Sequence, residues 1–137
     1  MDVKMYLKQY QFATTEVEAC YEQIAALRDE ATRMSAELSD MPKGGSGRDI
    51  DDIVAEMVDL RAELIDRITR ANKLRKEVCD VIYSLEDDRL IWLLHLRYVD
   101  GYKWETIARR MGYDLRYLHK LHGRALKDIK RHYGHVL

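Results

Sequence analysis

The chain has 137 residues, of which 47% are hydrophobic and 34% charged, a composition that excludes a disordered protein and fits one compact domain or a small domain with a helical arm. No apolar run is long enough to span a bilayer and the first residues lack a signal-peptide core, so we expect a soluble intracellular protein. The net charge of −1 conceals a strong asymmetry, since residues 1–95 sum to −7 and residues 96–137 to +6, and a basic end of this kind suits a polyanionic partner.

Residues 3–38 are predicted to form one long helix. Apolar residues recur there at alternating steps of three and four, which is the spacing of a coiled-coil seam. The seam comprises Val3, Tyr6, Tyr10, Ala13, Val17, Cys20, Ile24, Leu27, Ala31, Met34 and Leu38. We interpret this stripe as core packing rather than as a binding site.

The next segment, 39–48 (SDMPKGGSGR), contains the only proline and three glycines, and is predicted to be a flexible loop. Ser46 and Asp49 fit a capping box with Ser46 as the N-cap. A second helix is expected to run from there to about Tyr83. Its seam comprises Ile50, Ile53, Met57, Leu60, Leu64, Ile68, Ala71, Leu74, Val78, Val81 and Leu85.

Two helices of similar length joined by a short loop predict an antiparallel hairpin, which we take as a helical arm over residues 1–83. A single hairpin leaves the apolar side chains at the flanks of its seam partly exposed to solvent, so we expect two hairpins to pair as a homodimer. The alternative is that the hairpin packs on the C-terminal domain of its own chain. With the turn near residue 44, Cys20 would lie opposite roughly residue 68 and roughly 16 Å from Cys79, which predicts two unbridged thiols.

The second predicted domain covers residues 84–137. Ser84 and Asp87 fit another capping box, with Ser84 as the N-cap of a third helix that continues to the turn signal at Asp100 and Gly101. Its apolar side would be formed by Leu90, Ile91, Leu93, Leu94 and Leu96.

Residues 103–131 (KWETIARRMGYDLRYLHKLHGRALKDIKR) are predicted to form two helices around a short turn. A helix from Trp104 to Met111 should stop at Gly112, and Asp114 should cap the next helix, from Leu115 to about Arg131. Two helices with such a glycine-containing link match a helix-turn-helix. The inward residues would be Ile107, Ala108, Met111, Leu118, Leu121, Ala125 and Ile129.

The outward face of the last helix would then be basic. It carries Arg116, His119, Lys120, Arg124 and Lys127, within a segment whose net charge is +6. These long donors suit phosphate oxygens and the acceptor edge of guanine, so the pattern predicts DNA binding rather than a merely solvated basic face. Gly123 lies inside this helix; close approach to a phosphate, close approach to another helix, or simple tolerance would each explain it.

The stretch LRYVDGYKWETIARRMGYDLRYLHKLHGRALKDIKR resembles region 4 of bacterial sigma factors and, more closely, phage transcriptional regulators of the ArpU and RinA type. The shared features are the LRY-x-DG turn, the W-E-x-IA helix, the Gly112 turn and the R-AL ending, and the resemblance covers roughly Leu85 to Arg131. It implies an all-α, sequence-specific activator encoded by a phage, acting on double-stranded DNA in the bacterial host cytoplasm, with RNA polymerase as a further candidate partner.

By matching, the base-contacting positions fall on Leu115, Arg116, His119 and Lys120. Leu115 stands where the family has a polar residue, so it is expected either to contact a thymine methyl group or to pack inward. The full set of expected DNA contacts is Lys103, Trp104, Leu115, Arg116, Tyr117, His119, Lys120, His122, Arg124 and Lys127.

Two other functions would fit the same elements. A DNA-recognition subunit of a phage packaging machine, similar to a small terminase, would also combine these elements, but in a larger ring. A protein-interaction module whose basic helix binds an acidic surface is the third alternative. The histidine pairs lack enough further ligands for a zinc site, and no catalytic or nucleotide-binding motif is present, so we expect no metal, no cofactor and no enzymatic activity.

Overall fold

A computed structural model describes residues 1–38 and 49–137, and the elements in this part of the chain are helical. Helix α1 spans Val3–Leu38 and α2 spans Ile50–Tyr83. Helix α3 (Asp88–Leu94) leads into a π-helical turn (His95–Val99), and α4 (Trp104–Met111) and α5 (Leu115–Tyr133) complete the chain. The predicted loop 39–48, with the predicted cap Ser46, lies outside the described residues.

Residues 14–70 form one compact unit, in which the long helices α1 and α2 pack together. Cys20, Ile24 and Leu27 of α1 and Ile53 of α2 are buried along the predicted seam. The Cys20 thiol lies 3.4 Å from the Leu60 carbonyl oxygen, and Arg67 Nη1 donates to the Glu16 carbonyl oxygen at 3.0 Å. The reversed order of these two pairs confirms an antiparallel hairpin.

The register of the hairpin differs from the prediction, which placed Cys20 opposite roughly residue 68 rather than beside Leu60. The seam repeats every seven residues, so apolar spacing alone accepts a shift of about one heptad. The prediction of unbridged thiols is confirmed, since Cys20 and Cys79 are both free and buried.

Residues 1–13 and 71–137 form a second compact unit around a single apolar core. The ends of α1 and α2 therefore pack with the C-terminal helices, and the predicted boundary between residues 83 and 84 falls inside this unit. Leu7, which the predicted seam omitted in favour of the half-buried Tyr6, is fully buried. The core comprises Val3, Leu7, Val78, Val81, Ile82, Leu85, Leu90, Leu93, Leu94, Leu96, Tyr98, Ile107, Ala108, Leu118, Leu121, Ala125 and Ile129.

Aspartate side chains accept hydrogen bonds from backbone N–H groups in the first turns of α2 and α3. Asp49 accepts a hydrogen bond from the Asp52 backbone N–H at 2.9 Å, at the start of α2. At α3 the N-cap is Asp87, which accepts from the backbone N–H of Arg89. Ser84 instead donates its hydroxyl proton to the Val81 carbonyl oxygen at 2.6 Å, so the predicted role of Ser84 as a cap is wrong. A hydroxyl near a helix end can satisfy the preceding helix as readily as it caps the next.

The third helix does not continue as an α-helix to Asp100, as the sequence had suggested. It widens into the π-helical turn His95–Val99, where the Asp100 backbone N–H donates to the His95 carbonyl oxygen at 3.0 Å. Gly101 then adopts φ +77° and reverses the chain direction before α4. This turn buries Tyr98 and brings Arg97 against the start of α4.

Candidate nucleic-acid interface

The junction between α4 and α5 is a tight turn defined by three consecutive residues. Gly112 ends α4 in the left-handed conformation, with φ +73°, and the Tyr113 backbone N–H donates to the Ala108 carbonyl oxygen at 3.0 Å. Asp114 then caps α5 by accepting from the Tyr117 backbone N–H at 2.8 Å. The predicted helix bounds, glycine stop and aspartate cap are all confirmed at this junction.

One side of α5 is anchored in the core. Leu118, Leu121, Ala125 and Ile129 are at most 1% exposed, as the sequence predicted. Helix α4 contributes the buried residues Ile107 and Ala108 to the same core, while Met111 is only half-buried. Because apolar packing fixes this side, the rotation of α5 about its own axis is also fixed, and so is the set of side chains that it exposes.

The exposed side of α5 is rich in cations. Arg116, Lys120 and Lys127 are exposed, and within residues 1–38 and 49–137 none of their side chains forms a hydrogen bond or ion pair. Arg124 and His119 are also exposed. Further along the helix Arg131 pairs with Asp128 at 2.8 Å. The stretch of α5 from Arg116 to Lys127 therefore presents unpaired positive charge to solvent, which is the electrostatic condition for binding a polyanion.

The indole of Trp104, at the first position of α4, links this surface to the π-helical turn. The Arg97 guanidinium lies 4.6 Å from the centre of the Trp104 ring, in a cation–π arrangement. The His119 ring lies 4.9 Å from the same indole on the α5 side. Trp104 is half-buried and Lys103, immediately before it, is exposed. The predicted residues Trp104 and His119 thus lie side by side, and the exposed Lys103 adjoins Trp104 in the chain.

His122 is placed in the core, which corrects the expectation that it faces DNA. Its side chain is 8% exposed, and its Nε2 lies 2.7 Å from the Tyr98 hydroxyl oxygen. Burial, reinforced by the charges of Lys4, His119 and Arg97, lowers the pKa of His122 to about 4. Burial likewise raises the pKa of Tyr98 to about 12. A neutral phenol and a neutral imidazole therefore share this hydrogen bond, and the pair belongs to the core rather than to the exposed surface of α5.

Leu115 and Tyr117 lie at the exposed start of α5, with 39% and 38% of their surfaces accessible. Leu115 is therefore not packed inward, which leaves the apolar contact of the two alternatives open to it. The Tyr117 hydroxyl accepts from Arg89 Nη1 at 3.1 Å, and Arg89 is held in turn by Asp87 at 3.1 Å. Tyr117 is thus oriented by α3, an element that is distant from it in sequence.

Arg89 and Arg97 were not predicted to belong to this surface. Both stand in stretches whose apolar pattern dominates the sequence signal, and each reaches α5 or α4 only through tertiary folding. Arg97 donates to the Tyr102 carbonyl oxygen at 3.0 Å. The Arg110 guanidinium carbon lies 4.2 Å from the centre of the Tyr102 ring, in a cation–π arrangement. No pattern in the sequence singles out Arg97, because its contacts with Tyr102 and Trp104 depend on the π-helical turn.

In the part of the chain that the structure describes, no group of three or more His, Cys, Asp or Glu side chains could hold a metal ion. None of the helices in those residues has the length and apolar character needed to cross a membrane. Comparison of the chain with protein-family models, with curated proteins and with solved structures gives no match.

Proposed function

We propose that α4 and α5 form a helix-turn-helix that binds double-stranded DNA, with α5 as the recognition helix. The observation that carries this proposal is the row of exposed, unpaired cations on α5, opposite a side that the core holds rigidly. A recognition helix needs both properties, because its side chains must reach base edges and phosphates from a fixed orientation.

The positions along α5 suggest a division of labour. Arg116, His119 and Lys120 lie in the first two turns, where a recognition helix ordinarily meets base edges in the major groove. Arg124 and Lys127 lie further from the N-terminus and would contact phosphates. Lys103, at the start of α4, would contact the backbone on the other side of the groove. Leu115 is placed for an apolar contact with a thymine methyl group.

We further propose that the protein is a sequence-specific transcriptional regulator, a phage-encoded activator of the kind that its resemblance to the ArpU and RinA regulators and to sigma region 4 implies. It would act in the bacterial host cytoplasm and would not be an enzyme. Bacterial RNA polymerase would be its second partner.

A homodimer is part of the same proposal, and α2 offers a face for it. Val54, Val58 and Ile65 are between 48% and 64% exposed, and their spacing places them on one side of the helix, together with the exposed Arg61. Asp52 and Asp66 are exposed on another side of the helix. If two hairpins met on their acidic sides, the aspartates would repel one another. The exposed apolar stripe is therefore the side on which a second hairpin would pack.

The experiment that tests this function is recovery of bound fragments from genomic DNA with the purified protein. We expect enrichment of a few related sequences and a steep decrease of affinity with salt concentration. Absence of binding to any duplex would contradict the proposal and favour an interaction module for acidic proteins. Sedimentation of the same sample separates the remaining alternative, since a ring of many subunits would indicate a packaging component instead of a dimeric regulator.

A further inference from the structure

Gly123 is a glycine in the middle of α5 that the fold itself does not require. Glycine destabilises a helix interior relative to alanine, so its presence at this position needs an explanation. The left-handed conformation is not that reason, because among the described residues only Gly101 and Gly112 have positive φ. Helix termination is not the reason either, since α5 continues to Tyr133.

Close packing within the chain is also excluded. A Cβ atom built at Gly123 would have no atom of the described residues within 4 Å, other than those of its own helix turn and chain neighbours. Of the explanations that the sequence left open, close approach to another helix of this chain therefore fails. The space above Gly123 is open to solvent, and an external molecule could fill it.

The surroundings of Gly123 indicate what that molecule is. Gly123 follows Lys120 by three residues and precedes Lys127 by four, so all three lie on one side of the helix. Arg116 continues the same row toward the N-terminus. Gly123 is thus a position without a side chain in a row of cations. An anionic molecule that binds beside Lys120 and Lys127 could therefore contact the backbone of α5 at Gly123 directly.

We infer that Gly123 is the point where a sugar–phosphate strand of DNA comes directly against α5, between Lys120, which is proposed to read a base, and Lys127, which is proposed to contact a phosphate. The inference rests on the proposed function. A phosphate strand fits better than a base edge, because Gly123 has no side chain to read a base, whereas the exposed Lys127 on the same side of the helix can supply the positive charge that a phosphate needs. It also lies about 12 Å along the helix from Leu115, beyond the end at which base edges are read.

The test uses Gly123→Ala and Gly123→Leu in the full-length chain. Both variants should unfold at a higher temperature than the wild type, because both residues favour a helix. Both should nevertheless bind DNA more weakly, by about tenfold for alanine and by more for leucine, since the added atoms hold the strand away. Affinity is measured on two short duplexes, one recovered by selection and one of unrelated sequence, and both should weaken by the same factor.

His132→Ala is the matched control. It also raises helix propensity, at an exposed position near the end of α5 and away from the gap, and should leave both affinities unchanged. Wild-type affinity in Gly123→Ala would overturn the inference while leaving the proposed function intact. A loss confined to the selected duplex would replace the phosphate contact by a base contact and so overturn it too. Failure of the wild type to bind either duplex would instead remove the proposed function.

Discussion

The Tyr98 hydroxyl and His122 Nε2 lie 2.7 Å apart in the core of the C-terminal unit, with the Trp104 ring 4.6 Å from the imidazole on another side. This buried hydrogen bond joins the π-helical turn to the middle of α5. His119, on the preceding turn of α5, is exposed to solvent. Two histidines three residues apart are therefore in different environments, one in solvent and one in the core. Burial makes His122 a group whose protonation opposes folding.

The first prediction concerns the pH dependence of stability. The pKa of His122 is about 4 in the folded chain, against 6.5 for an unperturbed histidine side chain. The unfolded state therefore binds more protons between these values, and the stability contribution of His122 is lost as pH falls from about 6.5 to 4. The loss should reach up to about 3 kcal/mol. Urea unfolding at a series of pH values measures it.

His122→Leu is the control for this prediction, because it removes the titrating group and keeps an apolar side chain beside Trp104. Its free energy of unfolding should depend less on pH over the same range, even if its absolute stability changes. An unchanged pH dependence in His122→Leu would mean that another group is responsible.

The second prediction concerns the core beneath the proposed DNA-binding side. Leu118 is fully buried between α5 and its neighbours, so Leu118→Ala should destabilise the fold by about 2–5 kcal/mol through the cavity that it leaves. Lys127→Ala, on the exposed side of the same helix, should change stability by less than about 0.5 kcal/mol. Chemical denaturation compares the two. A loss below about 1 kcal/mol for Leu118→Ala would mean that the inward side is wrongly assigned.

How far this helix pair could be predicted depended on whether the signal was local. Gly112 and Asp114 act on the residues next to them, so the turn and the start of α5 followed from the sequence. The burial of Leu118 and Leu121 followed from a 3.6-residue period. His122 lies near the edge of the apolar stripe of α5, so the spacing alone fits either a buried or an exposed side chain. Its hydrogen bond with Tyr98 shows that it is buried, and Tyr98 is brought there by a π-helical turn that has no clear sequence signal.

The hairpin shows the same limit on a longer scale. The seam identified both helices, yet a repeat of seven residues could not fix which residue of α2 faces Cys20. The seam also could not distinguish Ile24, which is 6% exposed, from residues on the outer flank. The apolar side of α2 that stays exposed is a second stripe, offset from the seam, and it becomes apparent only once the inward side is known.

The third prediction separates base contacts from phosphate contacts. Arg116→Ala and Lys120→Ala should each weaken binding to the selected duplex by roughly 1–3 kcal/mol if the side chain reads a base, and should weaken unrelated DNA less. Lys127→Ala should weaken every sequence alike and lower the slope of affinity against salt concentration. Titrations at several salt concentrations measure both effects. Unchanged affinity in the Arg116 and Lys120 double variant would contradict the proposed orientation of α5.

The last prediction concerns self-association through the exposed stripe of α2. Ile24 of the predicted seam is buried within its own hairpin, so Ile24→Asp would disrupt that hairpin and cannot test pairing. Val58 and Ile65 are 60% and 64% exposed, and aspartates there should leave the hairpin folded. If two copies pair on this stripe, Val58→Asp with Ile65→Asp should convert a dimer to a monomer in sedimentation, with the helical circular dichroism signal retained. Affinity for DNA should fall although no proposed contact residue has changed, because a two-fold symmetric site needs two recognition helices.

Gln23→Asp with Ala26→Asp provides the matched control, because it adds the same two charges to exposed positions of α1, away from the stripe. This control should sediment like the wild type and bind DNA equally well. Dissociation of both double variants would point to net charge rather than to the stripe. A wild-type monomer at micromolar concentration would contradict the dimer itself, and the hairpin would then be free to serve a contact with RNA polymerase, since its apolar stripe would still require a partner.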